Sequence, residues 1–162
     1  MIDDLWYKNG VIYCLSVATF MDSDGDGIGD FRGLLRRLDY LAGLGVNTIW
    51  LLPFQPSPMR DDGYDIADYY GVDPRYGTLG DFVAFTHGAQ QRGMRVIIDL
   101  VVNHTSDRHP WFQGARRDPH SPYRDWYIWS ARRPANAQKG VVFPGVQRST
   151  WSRDPVAKCQ RR

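Results

Sequence analysis

Three short stretches carry most of the residues that could do chemistry. The first, DSDGDGIGD, runs from Asp22 to Asp30 and sets Asp22, Asp24 and Asp26 at alternate positions before Gly27. Alternate carboxylates in a tight turn direct oxygens inward, and a hard cation such as calcium takes roughly six to eight of them. The twelfth position of a helix–loop–helix calcium loop falls on Gly33 instead of glutamate, so that motif is absent and Asp30 would close the loop. A solvated acidic turn, with Asp30 capping the next helix, uses the same residues. The second stretch is Asp61-Asp62-Gly63-Tyr64-Asp65, followed by Asp68, Tyr69 and Tyr70. An aromatic plate beside carboxylates offers a pyranose ring a face to stack on and acceptors for its hydroxyls. A surface turn whose tyrosines pack on the scaffold would read alike. The third stretch places Asp99 inside an apolar run, with Asn103 and His104 just past it. A carboxylate there needs a partner, because an unpaired buried charge is very costly. A lone histidine is more often structural than catalytic.

The elements that must position these residues are legible as apolar runs. Val11–Val17, Thr48–Leu52 and Arg95–Val102 are rich in β-branched and aromatic residues, as buried strands are. They are apolar throughout, which suits parallel strands covered on both faces. Between the first two, Leu34, Leu35, Leu38, Leu41, Ala42 and Leu44 recur at helical spacing, ended by Gly43 and Gly45. Between the second and third, a helix from a Thr78 cap to Gln91 would bury Leu79, Phe82, Val83 and Phe85, with Gly93 closing it. Strands joined by helices in this order predict an α/β fold with crossover connections. The three polar stretches then fall beyond the strands' C-terminal ends, where function collects in such folds. Residues 1–103 make up this part. Residues 104–162, rich in proline, arginine, histidine and tryptophan, read as an excursion with short strands near Tyr127–Trp129 and Val141–Phe143.

The 162-residue chain has a net charge of +2, too little to argue for nucleic acid or a membrane surface. Its N-terminus carries two acids and no apolar core, unlike a secretory signal, and no run approaches the roughly 18 apolar residues of a bilayer span. Cys14 and Cys159 are isolated, without metal-ligand spacing, and Cys14 is expected in the core. A cytoplasmic location is the default expectation.

In this order and at these strand ends, the stretches resemble the α-amylase superfamily of glycoside hydrolases and transglucosidases. DLVVNHTS (Asp99–Ser106) is similar to that family's signature block on the third barrel strand. DSDGDGIGD resembles its calcium loop, and DDGYDIADYY (Asp61–Tyr70) the segment after its second strand. HPWFQGARRDPHSPYRDWYIW (His109–Trp129) and VVFPGVQRSTWSRDPV (Val141–Val156) resemble the small domain inserted after strand three, most of all in the trehalose synthase branch, next to the oligo-1,6-glucosidases.

The resemblance implies the N-terminal part of a TIM (β/α)8 barrel, about three βα units, plus part of that inserted domain. It implies calcium held by Asp22, Asp24, Asp26, Asp30 and the carbonyl of Ile28, with Asp24 where many relatives have asparagine. Tyr64 would stack on the sugar ring whose bond is broken, and Asp61 would bind hydroxyls at the closed end of the pocket. His104 would donate to the hydroxymethyl oxygen. Asp99 and Asp65 would be supporting carboxylates. The substrates implied are short α-glucosides such as maltose or trehalose, handled with retention of configuration by a nucleophile and an acid/base. Those two lie after the fourth and fifth barrel strands in the family, so no catalytic residue is expected in this chain and it is expected to be inactive alone. A non-catalytic carbohydrate- or calcium-binding module is the alternative.

Overall fold

Pro53 has no N–H to give to a sheet, and strand pairing stops just before it. In the computed structural model, which describes residues 5–141, 145 and 148–162, β2 (Thr48–Leu51) lies between β1 (Ile12–Leu15) and β3 (Arg95–Ile98). All pairing is parallel, and the last partners are Leu15 with Leu51 and Leu51 with Ile98. Each strand is therefore shorter than its apolar run. Val17 opens a short helix, α1 (Val17–Phe20), and Asp99 lies one residue beyond β3 instead of inside it.

The connection from β1 to β2 holds α2 (Phe31–Arg36) and α3 (Leu38–Gly43), split at Arg37 where one helix was expected. Asp30 caps α2, its Oδ1 accepting from Gly33 N at 2.7 Å. Gly33 is required there by contact: a Cβ would sit 2.1 Å from the Met21 carbonyl oxygen. Between β2 and β3 runs α4 (Leu79–Gln91). Its first turn is closed by a reciprocal cap, Asp81 N donating to Thr78 Oγ1 at 3.1 Å and Thr78 N to Asp81 Oδ2 at 2.8 Å.

The core lies between the helices and one face of the sheet, where Phe31, Leu34, Leu38, Leu41, Ile49, Leu51, Phe85 and Ala89 are buried. Phe54, just past β2, stacks on Phe82 at 5.0 Å between centroids. Leu79 and Val83 are exposed at 56% and 57%, contrary to expectation. They lie about a quarter-turn or more round the helix from the row Phe82, Phe85, Ala89 that meets the core.

The opposite face of the sheet carries exposed side chains. Side chains alternate along a strand, so where Leu15, Ile49 and Leu51 take the helix side, Cys14 and Trp50 take the other, side by side in register and both exposed. Cys14 is thus not the core residue expected from its run. Three strands do not close on themselves to bury an inner face.

The chain divides into two compact units, the first ending at Ser106 and the second running from Asp107 to Arg162. The second contains α5 (Pro110–Arg117) and an antiparallel sheet of β4 (Trp129–Ser130), β6 (Cys159–Arg161) and β5 (Ser152–Asp154), in that order. The strand expected at Tyr127–Trp129 begins only at Trp129. That expected at Val141–Phe143 falls outside the described residues apart from Val141. Phe112 stacks on Trp129, with Arg161 over Phe112 at 4.7 Å and Arg124 over Trp129 at 3.9 Å. Asp154 is 1% exposed, pairs with Arg116 at 3.2 Å, and accepts from the Val156 and Ala157 amides. Among the described residues no helix is long and apolar enough to cross a membrane.

Candidate functional site

Asp99, one residue past β3, meets Tyr64 from the loop after β2. The Tyr64 hydroxyl donates to Asp99 Oδ2 at 2.8 Å, and the Trp50 indole N–H donates to Oδ1 at 2.9 Å. The hydrogen bond to Asp99, aided by burial, pushes the Tyr64 phenol up to about 12, so it stays a donor at any ordinary pH. His104 closes on the same tyrosine: its Nε2 lies 3.2 Å from the Tyr64 carbonyl oxygen, and Asn103 Nδ2 lies 3.1 Å from its Nδ1. A carbonyl only accepts and an amide nitrogen only donates, so one tautomer, protonated on Nε2, satisfies both contacts. In this arrangement the Nε2 proton faces the loop backbone, and donation to a sugar oxygen would require the ring to turn. Tyr69 ties the two loops together, its hydroxyl lying 2.8 Å from Val101 O and 2.9 Å from His104 O. Ser106 N donates to Ile66 O at 2.8 Å just beyond.

The turn that carries Asp61 and Tyr64 is built by Asp65. Its carboxylate accepts from Ser57 Oγ at 2.6 Å, Arg60 N at 3.1 Å and Asp61 N at 3.3 Å. Burial works against this anion, but the Ser57 and Arg60 donors outweigh it and hold the pKa below the usual carboxylate value. Tyr64 N in turn donates to Asp61 O at 2.8 Å. Met59 and Asp62, on either side of Asp61, have φ of 57° and 49°. Left-handed backbone at residues other than glycine costs about 1 kcal/mol or more, and such positions concentrate where a loop's shape matters more than its comfort. Gly63, at φ 94°, approaches Pro53 so closely that a Cβ would lie 3.0 Å from its carbonyl oxygen. Asp61 itself is exposed, as an acceptor for a ligand must be.

The acidic loop forms a second group. Asp22, Asp24 and Asp30 each offer a carboxylate oxygen within 4.8 Å of the others, and Asp26 is not among them. Asp26 Oδ1 instead accepts from Ile28 N at 2.7 Å. Asp22 accepts from the Gly25 and Gly27 amides at 2.7 and 2.8 Å, which draw its pKa down. Asp30 accepts from Gly33 N, Ser23 N and Ser23 Oγ. Three anions held this close by backbone donors, with oxygen lone pairs to spare, fit the donor set of a hard cation.

Of the residues picked out by sequence, Tyr64, Asp99 and His104 are brought together, with Asp61 and Asp65 on the turn that holds Tyr64. Asp22, Asp24 and Asp30 gather apart from them, Asp26 faces its own loop, and Ile28 contributes an amide donor. Trp50 and Ser57 were missed, and Tyr69 was singled out only as part of its stretch, not as the tie between two loops. Trp50 lay inside an apolar run, where its N–H gave no signal, although the lone carboxylate past the next strand required just such a donor. A cavity of about 370 Å³ in the second unit, lined by Lys139, Thr150, Trp151 and Arg162 among others, contains none of these residues.

The family model described as alpha amylase, catalytic domain, matches residues 12–157. The chain is 57% identical over 158 residues to a trehalose synthase of Thermus thermophilus, covering 97% of this chain and 16% of that protein. It is 43% identical over 159 residues to an oligo-1,6-glucosidase of Parageobacillus thermoglucosidasius, covering 96% and 27%. A solved trehalulose synthase (MutB) variant superposes with a TM-score of 0.88 at 42% identity, covering 96% of this chain and 28% of that one. The chain thus spans about a quarter or less of the length of these relatives. Its parallel three-stranded sheet is the N-terminal part of a TIM barrel, and the chain belongs to the alpha-amylase catalytic-domain family.

Proposed function

We propose that this chain supplies the sugar-holding part of a site for short α-glucosides of the maltose and trehalose type. The single observation that carries the reading is the Asp99–Tyr64–His104 network, in which residues from two separate loops fix one aromatic ring beside an exposed carboxylate, Asp61. Tyr64 gives the pyranose a face, Asp61 accepts from its hydroxyls, and His104 and Asp99 fix the ring's place.

Retaining cleavage of an α-glucoside needs two carboxylates about 5–5.5 Å apart, one to attack carbon and one to carry a proton. Asp99 has a donor on each oxygen and Asp65 is committed to its turn, so neither is suited to attack. Cleavage and transfer therefore belong to carboxylates other than these, and the whole protein would interconvert maltose and trehalose, or hydrolyse short α-glucosides, through one covalent intermediate. The trehalose synthase relative favours transfer over hydrolysis. A cation such as calcium, bound by Asp22, Asp24 and Asp30, would neutralise the acidic loop and stiffen the link between β1 and α2.

Isothermal titration of the 162-residue chain with maltose tests the reading: saturable binding is expected, weakened at least about tenfold by Asp61→Ala. Binding that survives loss of both Asp61 and the Tyr64 ring would contradict it. The acidic group favours a second reading, in which the chain is a calcium-binding module without a sugar site. Calcium binding with no response to maltose would support that instead.

A further inference from the structure

Tyr64 comes from a loop, yet its hydroxyl is aimed at a carboxylate that is itself one residue beyond its strand. A carboxylate turns easily about its last bond, where the torsional wells are broad. One contact to Tyr64 would leave its plane free. The second contact comes from the sheet: Trp50 lies within β2, flanked in register by Cys14 and Ile97, and gives its indole N–H to the other oxygen at 2.9 Å. Indole nitrogen only donates, so the bond has one polarity. The Trp50 ring is 38% exposed on the uncovered face of the sheet, so burial alone does not lock it.

We propose that Trp50 is a positioning residue of the sugar site, anchoring the plane of the Asp99 carboxylate to β2 so that Asp99 holds the Tyr64 ring at its stacking angle. The inference rests on the reading of Tyr64 as the sugar's plate. It makes Trp50 act through Asp99, so the effects of removing either one must not add.

The test compares the 162-residue chain with its Trp50→Phe, Asp99→Asn and double variants. Maltose affinity is read by calorimetry and Tyr64 ionisation by ultraviolet titration, using Tyr64→Phe to identify its signal. In the unaltered chain Tyr64 ionises near 12. Trp50→Phe is expected to shift that midpoint, because Asp99 then answers to Tyr64 alone, and to weaken maltose binding roughly fivefold. The double variant is expected to be no weaker than Asp99→Asn alone. A Trp50→Phe chain with unchanged titration and affinity, or additive losses in the double variant, overturns the proposal. If the unaltered chain does not bind maltose, the sugar reading fails, and the Tyr64 titration still decides whether Trp50 governs Asp99. Should Trp50→Phe lose its fold by circular dichroism, 3-benzothienylalanine at position 50 keeps the ring's shape without the N–H and carries the same expectations.

Discussion

Asp99 accepts from two aromatic donors, Trp50 and Tyr64, and this makes it a fixed support instead of a reacting group. Asp61 is exposed and Tyr64 half-buried, and under the proposed function these two meet the ligand. Asp61→Ala should therefore weaken maltose binding by roughly tenfold to a hundredfold, as loss of a charged acceptor does, while thermal melting stays within about 2 °C of the unaltered chain. Calorimetry and a melt on the same sample check both halves. At this scale the sequence spoke through residue types that do not belong where they stand. An acid in an apolar run announced a partner, and Asp99 has two, Trp50 and Tyr64. The partner's identity was hidden, because a tryptophan in a strand looks like core and its N–H has no sequence signature. Asp26 stands apart from the other three carboxylates for a similar reason: alternate spacing brings such groups into one turn, but the Ile28 amide bonds to its Oδ1.

The elements place these residues through caps and close contacts more than through the length of the apolar runs. Thr78 and Asp81 cap α4 reciprocally, and Arg32 reaches Asp81 at 2.8 Å. Thr78→Ala should cost about 1 kcal/mol in a denaturant melt. The Arg32 and Thr78 bonds lower the Asp81 pKa to about 2, against the ordinary value. A carboxylate depressed in the folded state stabilises it fully above about pH 4. That contribution disappears as the pH falls toward about 2. Asp81→Asn should accordingly erase the part of the acid-induced loss that lies in this window, read by circular dichroism against pH. Gly33→Ala should be the more damaging change, about 3 kcal/mol, because the new methyl would meet the Met21 carbonyl oxygen at 2.1 Å. Helix α4 was legible from its cap and period, as was each strand's existence. The strand ends were not. Pairing partners set them, and Pro53, two residues past the middle strand, offers no N–H to extend the pairing, which no single run discloses. The second sheet was scarcely legible, since its strands are only two or three residues long and the central one is Cys159–Arg161.

In the molecule as a whole, the sheet has three strands where a closed barrel has eight. At the end of β3 and just past it, Ile98, Leu100 and Val102 are exposed at 44%, 79% and 77% on alternate positions, an apolar stripe on the sheet's edge strand. The isolated chain should associate as its concentration rises, seen as increasing light scattering. Leu100→Lys with Val102→Lys should suppress that, and an unaltered chain that stays monomeric at high concentration would count against it. Calcium should raise the melting temperature of the chain, by binding the folded state alone, and should do so much less for Asp24→Ala, whose carboxylate makes only a weak contact to Asp26 N at 3.3 Å. The decisive measurement grafts this chain in place of the matching segment of the Thermus thermophilus trehalose synthase and assays conversion of maltose to trehalose. The account predicts a folded, active chimera whose activity falls at least about a hundredfold when Asp61 and the Tyr64 ring are removed together. A folded chimera that turns nothing over, or one indifferent to the loss of both residues, would contradict it.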